Sequence, residues 1–414
     1  MKFKKVKLFT EALKMEIQVS NKIKTISPSP TLAIDTKFKS MKAEGIDVVG
    51  FGAGEPDFDT PVHIKEAAIK AINDGFTKYT PASGTMDLKK AVCDKLMEEN
   101  GLSYAPTDIV ISNGAKHSLV NTFMAILNPG DEVIIPAPFW VSYPEMVKIA
   151  DGVPKFIETT EENDFKFKVS DLEKAITPKT KALILNNPSN PTGMLYTKEE
   201  LIEIADFAVK NNIYVVSDEI YEALVYDGRE SFISIASLGE EIKELTIIIN
   251  GMSKTYAMTG WRIGYTASNP KIAKAMANLQ SHATSNPNSI AQVAAVAALK
   301  GPKDDILKMK AAFEERRNYM VDAINNVDGV SARKPHGAFY IMMNIEKLLD
   351  KSYNGVKIDN VDNLCELLLS EVKLALVPGS GFGAPGYVRW SYATSMENIK
   401  EGISRLTKFV SDLK

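Results

Sequence analysis

Lys254 stands in the stretch Asn250-Gly-Met-Ser-Lys-Thr-Tyr-Ala-Met-Thr-Gly-Trp-Arg-Ile-Gly264, directly after the apolar run Thr246-Ile-Ile-Ile249, and Arg262 follows eight positions on. A lysine at the end of a buried strand is partly desolvated, which lowers its pKa and leaves a nucleophilic amine suited to a Schiff base. Most lysines are solvated surface charges, so the chemistry must be argued from the company Lys254 keeps.

Four other apolar runs end in equally pointed residues. Ile109-Val-Ile111 leads into Ser112-Asn-Gly-Ala-Lys-His117, a glycine turn opening a helix. Backbone N–H groups and the positive dipole end at Gly114, Ala115 and Lys116 suit a phosphate. Val133-Ile-Ile135 leads into Pro136-Ala-Pro-Phe-Trp140, where Trp140 could stack on a planar ring or simply fill a rim. Leu183-Ile-Leu185 leads into Asn186-Asn-Pro-Ser-Asn-Pro-Thr-Gly193. Asn190, held ahead of a proline, can donate to a ring oxygen, although the same residues also make ordinary turns. Tyr214-Val-Val216 leads into Ser217-Asp-Glu-Ile-Tyr221. A carboxylate there requires a cation or hydrogen bonds, and Asp218 supplies one. Ligands of open parallel sheets bind beyond the carboxyl ends of the strands. One compound uses a phosphate site, an aromatic platform, a ring-oxygen donor, a carboxylate and an amine together: pyridoxal 5′-phosphate (PLP).

The elements that must position these residues follow from hydrophobic spacing. The five short β-branched runs lack polar alternation and fit strands covered on both faces. Helical patterns lie between them, such as Leu119, Phe123 and Ile126 before Asn128-Pro-Gly130, and Leu201, Ile204, Phe207 and Ala208 before Asn211-Asn212. The expectation is an α/β fold: a large domain over residues 61–302 with a mostly parallel sheet and helices on both faces. A smaller α+β domain is expected over 303–414, with helical patterns at Lys308–Asn326 and Met396–Leu413 and a strand at Ala338–Met343. Residues 19–60 should pack on the smaller domain. Residues 1–18 read as an extension beginning with a basic stretch, within which Met15 is an alternative start.

Composition narrows the class. The chain has 414 residues, 45% hydrophobic, and a formal charge of -3 from 49 basic and 52 acidic residues mixed along its length. That balance gives no basic face for nucleic acid. Cys93 and Cys365 are far apart, and His63, His117, His282 and His336 are isolated, so no metal site is expected. The cysteines read as small buried hydrophobes, in keeping with a reducing cytoplasm. No apolar run reaches the roughly 18 residues of a membrane span.

From about Ser27 to its end the sequence resembles the class I aminotransferases of PLP fold type I, and among them the bacterial aspartate aminotransferase subgroup. The resemblance is carried by Gly52-Ala-Gly-Glu-Pro-Asp-Phe-Asp-Thr-Pro61, Tyr79-Thr-Pro-Ala-Ser-Gly84, Asn187-Pro-Ser-Asn-Pro-Thr-Gly193, Ser217-Asp-Glu-Ile-Tyr221, Ser253-Lys-Thr-Tyr-Ala-Met-Thr-Gly-Trp-Arg-Ile-Gly264 and Gly386-Tyr-Val-Arg-Trp-Ser-Tyr392. Their order and the spacings of 28 and 36 residues between Asn190, Asp218 and Lys254 make the match specific.

The resemblance implies that Lys254 forms the Schiff base with PLP and then acts as general acid and base, and that Asp218 pairs with the pyridine nitrogen. It implies that Asn190 and Tyr221 bond the ring oxygen, that Trp140 stacks on the ring, and that Gly114, Ala115, Lys116, Ser253 and Arg262 hold the phosphate. Tyr79 would reach the phosphate of a partner subunit, so a homodimer with shared sites is implied. Arg389 would clamp the substrate α-carboxylate, aided by Gly54, while Lys116 and Thr31 would meet a distal carboxylate. The implied reaction is ping-pong transfer of an amino group from aspartate to 2-oxoglutarate. Two positions depart from the usual pattern: Trp390 replaces an aliphatic residue, and Ser27 stands where some prephenate-using relatives are basic. Another amino donor (aromatic, alanine or prephenate) and a PLP-dependent C–S β-lyase use the same lysine and remain alternatives. A PLP-sensing regulator would need a DNA-binding domain for which residues 1–26 are too short.

Overall fold

The computed structural model describes residues 17–28, 30–228 and 232–414, with all their side chains except those of residues 30–33 and 35. The basic stretch before Ile17 and the side chain of Thr31 therefore lie outside the described residues.

A sheet of seven strands organises the larger body. In chain order these are β1 (Ile109–Ser112), β2 (Glu132–Ala137), β3 (Val153–Glu158), β4 (Thr180–Asn186), β5 (Tyr214–Asp218), β6 (Thr246–Gly251) and β7 (Gly264–Ala267). In space they run β1-β7-β6-β5-β4-β2-β3. The pairs β6–β5, β5–β4, β4–β2 and β2–β3 are parallel. Strand β7 runs against both its neighbours. All five expected strands are present, so the carboxyl ends of β4, β5 and β6 open side by side.

Alternation along each strand feeds two cores. Leu183, Leu185 and Val215 pack with Leu201, Ile204 and Phe207 on one face. Ala182, Ile184, Val216, Ile247 and Ile249 pack with Leu119, Phe123 and Met146 on the other. Burying one such side chain is worth about 1.5–3 kcal/mol, which is why these runs carry no polar residue in their interior.

Two further strands of this sheet went unread in the sequence. Strand β7, Gly264-Tyr-Thr-Ala267, has too few β-branched residues to register as a run. Strand β3 is an edge strand with exposed Val153 and Phe156, and Pro154 sits within it, as tolerated at an edge.

The helices begin and end on recognisable signals. Thr197 caps the helix Lys198–Asn211 in a capping box with Glu200, and Asn212 ends it at φ 51°. Helix α1 (Ala115–Ile126) starts on Gly114 at φ 85°, and helix α2 (Ser142–Ile149) follows β2.

The smaller sheet comprises β8 (Ser331–Ala332), β9 (Tyr340–Asn344), β10 (Val377–Pro378) and β11 (Tyr387–Ser391), ordered β10-β11-β9-β8. It is antiparallel throughout. Helices α3 (Asp304–Asn325) and α4 (Met396–Ser411) flank it, close to the expected bounds. The N-terminal segment touches both bodies. Strand Val49–Gly50 pairs with Leu374–Ala375, and Phe51 packs on Trp390 with ring centroids 4.7 Å apart. Earlier in the segment, Lys22 pairs with Asp151 at 2.9 Å and the Ser27 N–H donates to Glu145 at 3.0 Å, both on the larger body. Cys93 and Cys365 are free thiols, the latter buried.

Candidate active site

A cleft of about 420 Å³ opens between the two sheets, over the carboxyl ends of β4, β5 and β6. The order of the strands explains what lines it: Asn186 ends β4, Asp218 ends β5, and the loop after β6 carries Ser253 and Lys254.

Lys254 is partly buried, and its ammonium donates to the Gly54 carbonyl. Burial lowers its pKa to about 8; Glu55 opposes the shift, while Arg262 and Arg389 reinforce it. At neutral pH a usable fraction of the amine is therefore unprotonated.

Asp218 is 4% exposed. Its Oδ2 accepts from the Tyr143 hydroxyl at 2.6 Å and its Oδ1 from the Ile220 N–H at 3.3 Å. Burial raises this carboxyl to about 6, against those hydrogen bonds and the Lys254 charge. A cation placed beside it would pull the value back down.

Tyr221 lies on the turn beyond β5. Its hydroxyl is 3.0 Å from that of Tyr340, and its ring meets Phe339 edge-on at 5.4 Å. The Lys254 ammonium lies 5.9 Å from the Tyr221 ring centre.

Arg389 projects from β11, the strand flanked on both sides in the smaller sheet. It is 3% exposed. Its guanidinium donates to Asn190 Oδ1 at 3.1 Å and to the Gly52 carbonyl at 3.0 Å. It lies 4.5 Å from the Tyr340 ring and 4.9 Å from the Phe382 ring. Its buried Nε has no hydrogen-bond partner among the described residues. A buried guanidinium with donors to spare is built to meet a carboxylate.

The anion end forms where β7 passes α1. A Cβ on Gly264 would overlap the Ala115 backbone nitrogen, and one on Gly114 would overlap the Arg262 guanidinium. Glycine at both positions lets the helix N-terminus and the guanidinium close on one point. Arg262 adopts φ 57°, a left-handed conformation costly for a residue with a side chain, and donates to the Thr259 carbonyl at 2.8 Å. Lys116 holds its ammonium 4.9 Å from the Trp140 ring centre. Burial, then the Arg262 charge, lowers the Lys116 pKa.

Of the sequence candidates, Gly54, Ala115, Lys116, Trp140 and Asn190 line the cleft. So do Asp218, Tyr221, Ser253, Lys254, Arg262 and Arg389. Gly114 forms the cap behind Ala115. Tyr79 does not line the cleft and is 91% exposed. Tyr143, Tyr340, Asn186, Gly52 and Thr259 also line it and were not anticipated. Tyr143 sits three residues after Trp140, in the first turn of α2, and could have been sought on that ground.

The donor set fits PLP: an anion cradle, an aromatic face, a buried carboxylate for a ring N–H⁺, side chains for a ring oxygen, and an amine of lowered proton affinity. Residues 46–406 match the family model described as aminotransferase class I and II. An aspartate aminotransferase of Bacillus sp. (strain YM-2) is 51% identical over 96% of this chain and 100% of that protein. A probable aspartate/prephenate aminotransferase of Aquifex aeolicus is 45% identical over 95% of this chain and 99% of that one. Among solved structures, an aspartate aminotransferase from Rhizobium meliloti superposes with a TM-score of 0.93 at 42% identity, covering 96% of this chain and 100% of that chain. The Thermus thermophilus enzyme with maleate gives 0.90 at 40% identity, covering 95% and 100%. The chain belongs to the class I and II aminotransferases, and it is an aminotransferase.

Proposed function

We propose that this aminotransferase uses PLP to move the amino group of aspartate to 2-oxoglutarate, giving oxaloacetate and glutamate in two half-reactions at one site. The observation that carries the reading is the convergence of Lys254, Asp218 and Arg389, from two sheets, on one cleft. When bound, PLP supplies an aldehyde and a ring that takes up the electrons released at the substrate Cα.

The protein's own groups do the rest. The N-terminus of α1, Ser253 and Arg262 would hold the phosphate, Trp140 would offer its ring to the cofactor's, and Asn190 and Tyr221 would bond the ring oxygen. Asp218 keeps the ring nitrogen protonated. Arg389 binds the α-carboxylate through its unused donors, which orients the Cα–H bond toward Lys254. The Lys254 Nζ would take that proton and later give it back, a role its lowered pKa suits. Lys116 and Arg389, two cations in one cleft, suit a substrate with two carboxylates. Maleate, which the Thermus structure holds, is such a compound.

We further propose a homodimer in which Tyr79, exposed in the single chain, reaches the partner's phosphate site. The proposed location is the cytoplasm; among the described residues no helix is long and apolar enough to cross a membrane.

A panel of amino donors against 2-oxoglutarate, with Lys254→Ala beside the wild type, tests the reading. The expected result is a visible PLP absorbance that shifts with amino acid, aspartate as the preferred donor, and loss of turnover in the variant. A colourless protein unaffected by Lys254→Ala would sink it. So would ammonia and pyruvate released from cystathionine without any 2-oxo acid.

A further inference from the structure

Tyr340 is 1% exposed and lies in the second strand of the smaller sheet, paired with Ser391. Such a residue ordinarily fills a core. It nevertheless lines the cleft, with its hydroxyl toward Tyr221 and Gly54. Among the described residues, the Tyr221 hydroxyl, 3.0 Å away, is its one hydrogen-bond partner. Its ring lies 4.5 Å from the Arg389 guanidinium, and a Cβ on Gly54 would come within 3.4 Å of its oxygen. Tyr340 thus stands where the phenol, the arginine and the Gly54 backbone meet.

We propose that Tyr340 is a positioning residue: its hydroxyl donates to Tyr221 and thereby aims and strengthens the Tyr221 hydroxyl, while its ring supports Arg389. The inference rests on the PLP reading of the cleft. Its direction follows from proton counting. Each phenol has one proton to give and can also accept. If Tyr221 gives its proton to the cofactor's ring oxygen, the bond between the two tyrosines must run from Tyr340 to Tyr221. Among the described residues Tyr340 has no other hydrogen-bond acceptor to compete for its proton. A hydroxyl that accepts a hydrogen bond becomes a stronger donor in turn.

The hydroxyl and the ring are separable by substitution. Tyr340→Phe removes the donor and keeps the surface under Arg389, whereas Tyr340→Leu removes both. Two readouts apart from turnover follow the cofactor: the Kd for PLP of the apoprotein, by tryptophan fluorescence, and the pH midpoint of the visible absorbance. Tyr340→Phe should weaken PLP binding about three- to tenfold and move the midpoint in the same sense as Tyr221→Phe, with KM for the amino acid held within about twofold. Tyr340→Leu should raise that KM as well. In the double variant Tyr221→Phe/Tyr340→Phe, the second substitution should add nothing, because its effect passes through the first. An undiminished effect of Tyr340→Phe in the Tyr221→Phe background would overturn the proposal, as would a Kd and midpoint equal to wild type in Tyr340→Phe alone. Failure of the wild-type protein to take up PLP would refute the cofactor reading instead.

Discussion

Replacing Tyr143 by phenylalanine removes one hydroxyl and leaves the ring that packs edge-on against Trp140 at 5.3 Å. The loss falls on Asp218, whose Oδ2 accepts that hydroxyl at 2.6 Å. A hydrogen bond to a buried carboxylate is worth about 1.5–3 kcal/mol, and one pH unit corresponds to about 1.36 kcal/mol. The Asp218 carboxyl, already pushed up to about 6 by burial, should therefore rise by roughly one to two units. On the proposed reading the cofactor ring would bind as a cation against the ionised carboxyl, so affinity should fall as pH drops through this pKa, by up to tenfold per unit. At pH ~6.5 the variant should bind PLP roughly 3- to 25-fold more weakly than wild type, and the two should converge near pH 9. PLP has its own titrations, but they cancel in the ratio of the two Kd values. Fluorescence titration of the apoproteins across this range gives that ratio directly. A ratio that stays constant with pH would refute the assignment of Tyr143 to Asp218, since a purely structural defect has no reason to follow one carboxyl.

Arg389→Lys keeps the charge and loses the planar fork, so KM for the amino acid should rise roughly 10- to 100-fold. PLP affinity should change by less than about threefold, which steady-state kinetics and a binding titration together check. Glu219, beside Asp218, is fully buried, with Oε1 accepting from Ser217 at 2.9 Å and Ser234 at 2.6 Å and Oε2 without a hydrogen-bond partner among the described residues. Burial, then Glu222, raises its pKa from 4.5 to about 8. Between those values the folded protein holds a proton that the unfolded chain has lost. Unfolding then releases a proton, and this group makes stability fall as pH rises, by at most about 1.4 kcal/mol per unit. Glu219→Gln should remove that slope, and urea midpoints at pH ~6 and ~8.5 should show the variant gaining on wild type at the higher pH.

The residues legible in the sequence were those at the carboxyl ends of uninterrupted apolar strands. There, a polar or charged residue conflicts with its surroundings, and Asp218 and Lys254 conflict most. Tyr143 and Tyr340 escaped notice because their rings satisfy the apolar pattern of a helix and a strand, and only the hydroxyl at the far end does chemistry. Arg389 was identified by motif rather than by pattern. Its strand lies about 170 residues from Asp218, and nothing local shows that the smaller sheet brings it to Asn190. Strand β7 was missed for a related reason: it is short and opens on Gly264, which serves the close approach of α1 and dilutes the β signal. The larger sheet was readable because its strands are buried on both faces, while edge strand β3 is not.

The crowding of cations around the cleft has a consequence for how the chain reaches its fold. Lys116, Lys254, Arg262 and Arg389 line one space, and the Arg262 charge depresses the proton affinity of both Lys116 and Lys254. A landscape in which every contact supported every other would not gather them, nor hold Arg262 in a left-handed backbone conformation. This patch is therefore a locally frustrated region, assembled because the two cores on either side of the larger sheet and the core of the smaller sheet leave it no alternative. Relief comes from any anion that binds there. Phosphate alone should thus raise the melting temperature of the cofactor-free protein, and more so at low ionic strength, where like charges repel most.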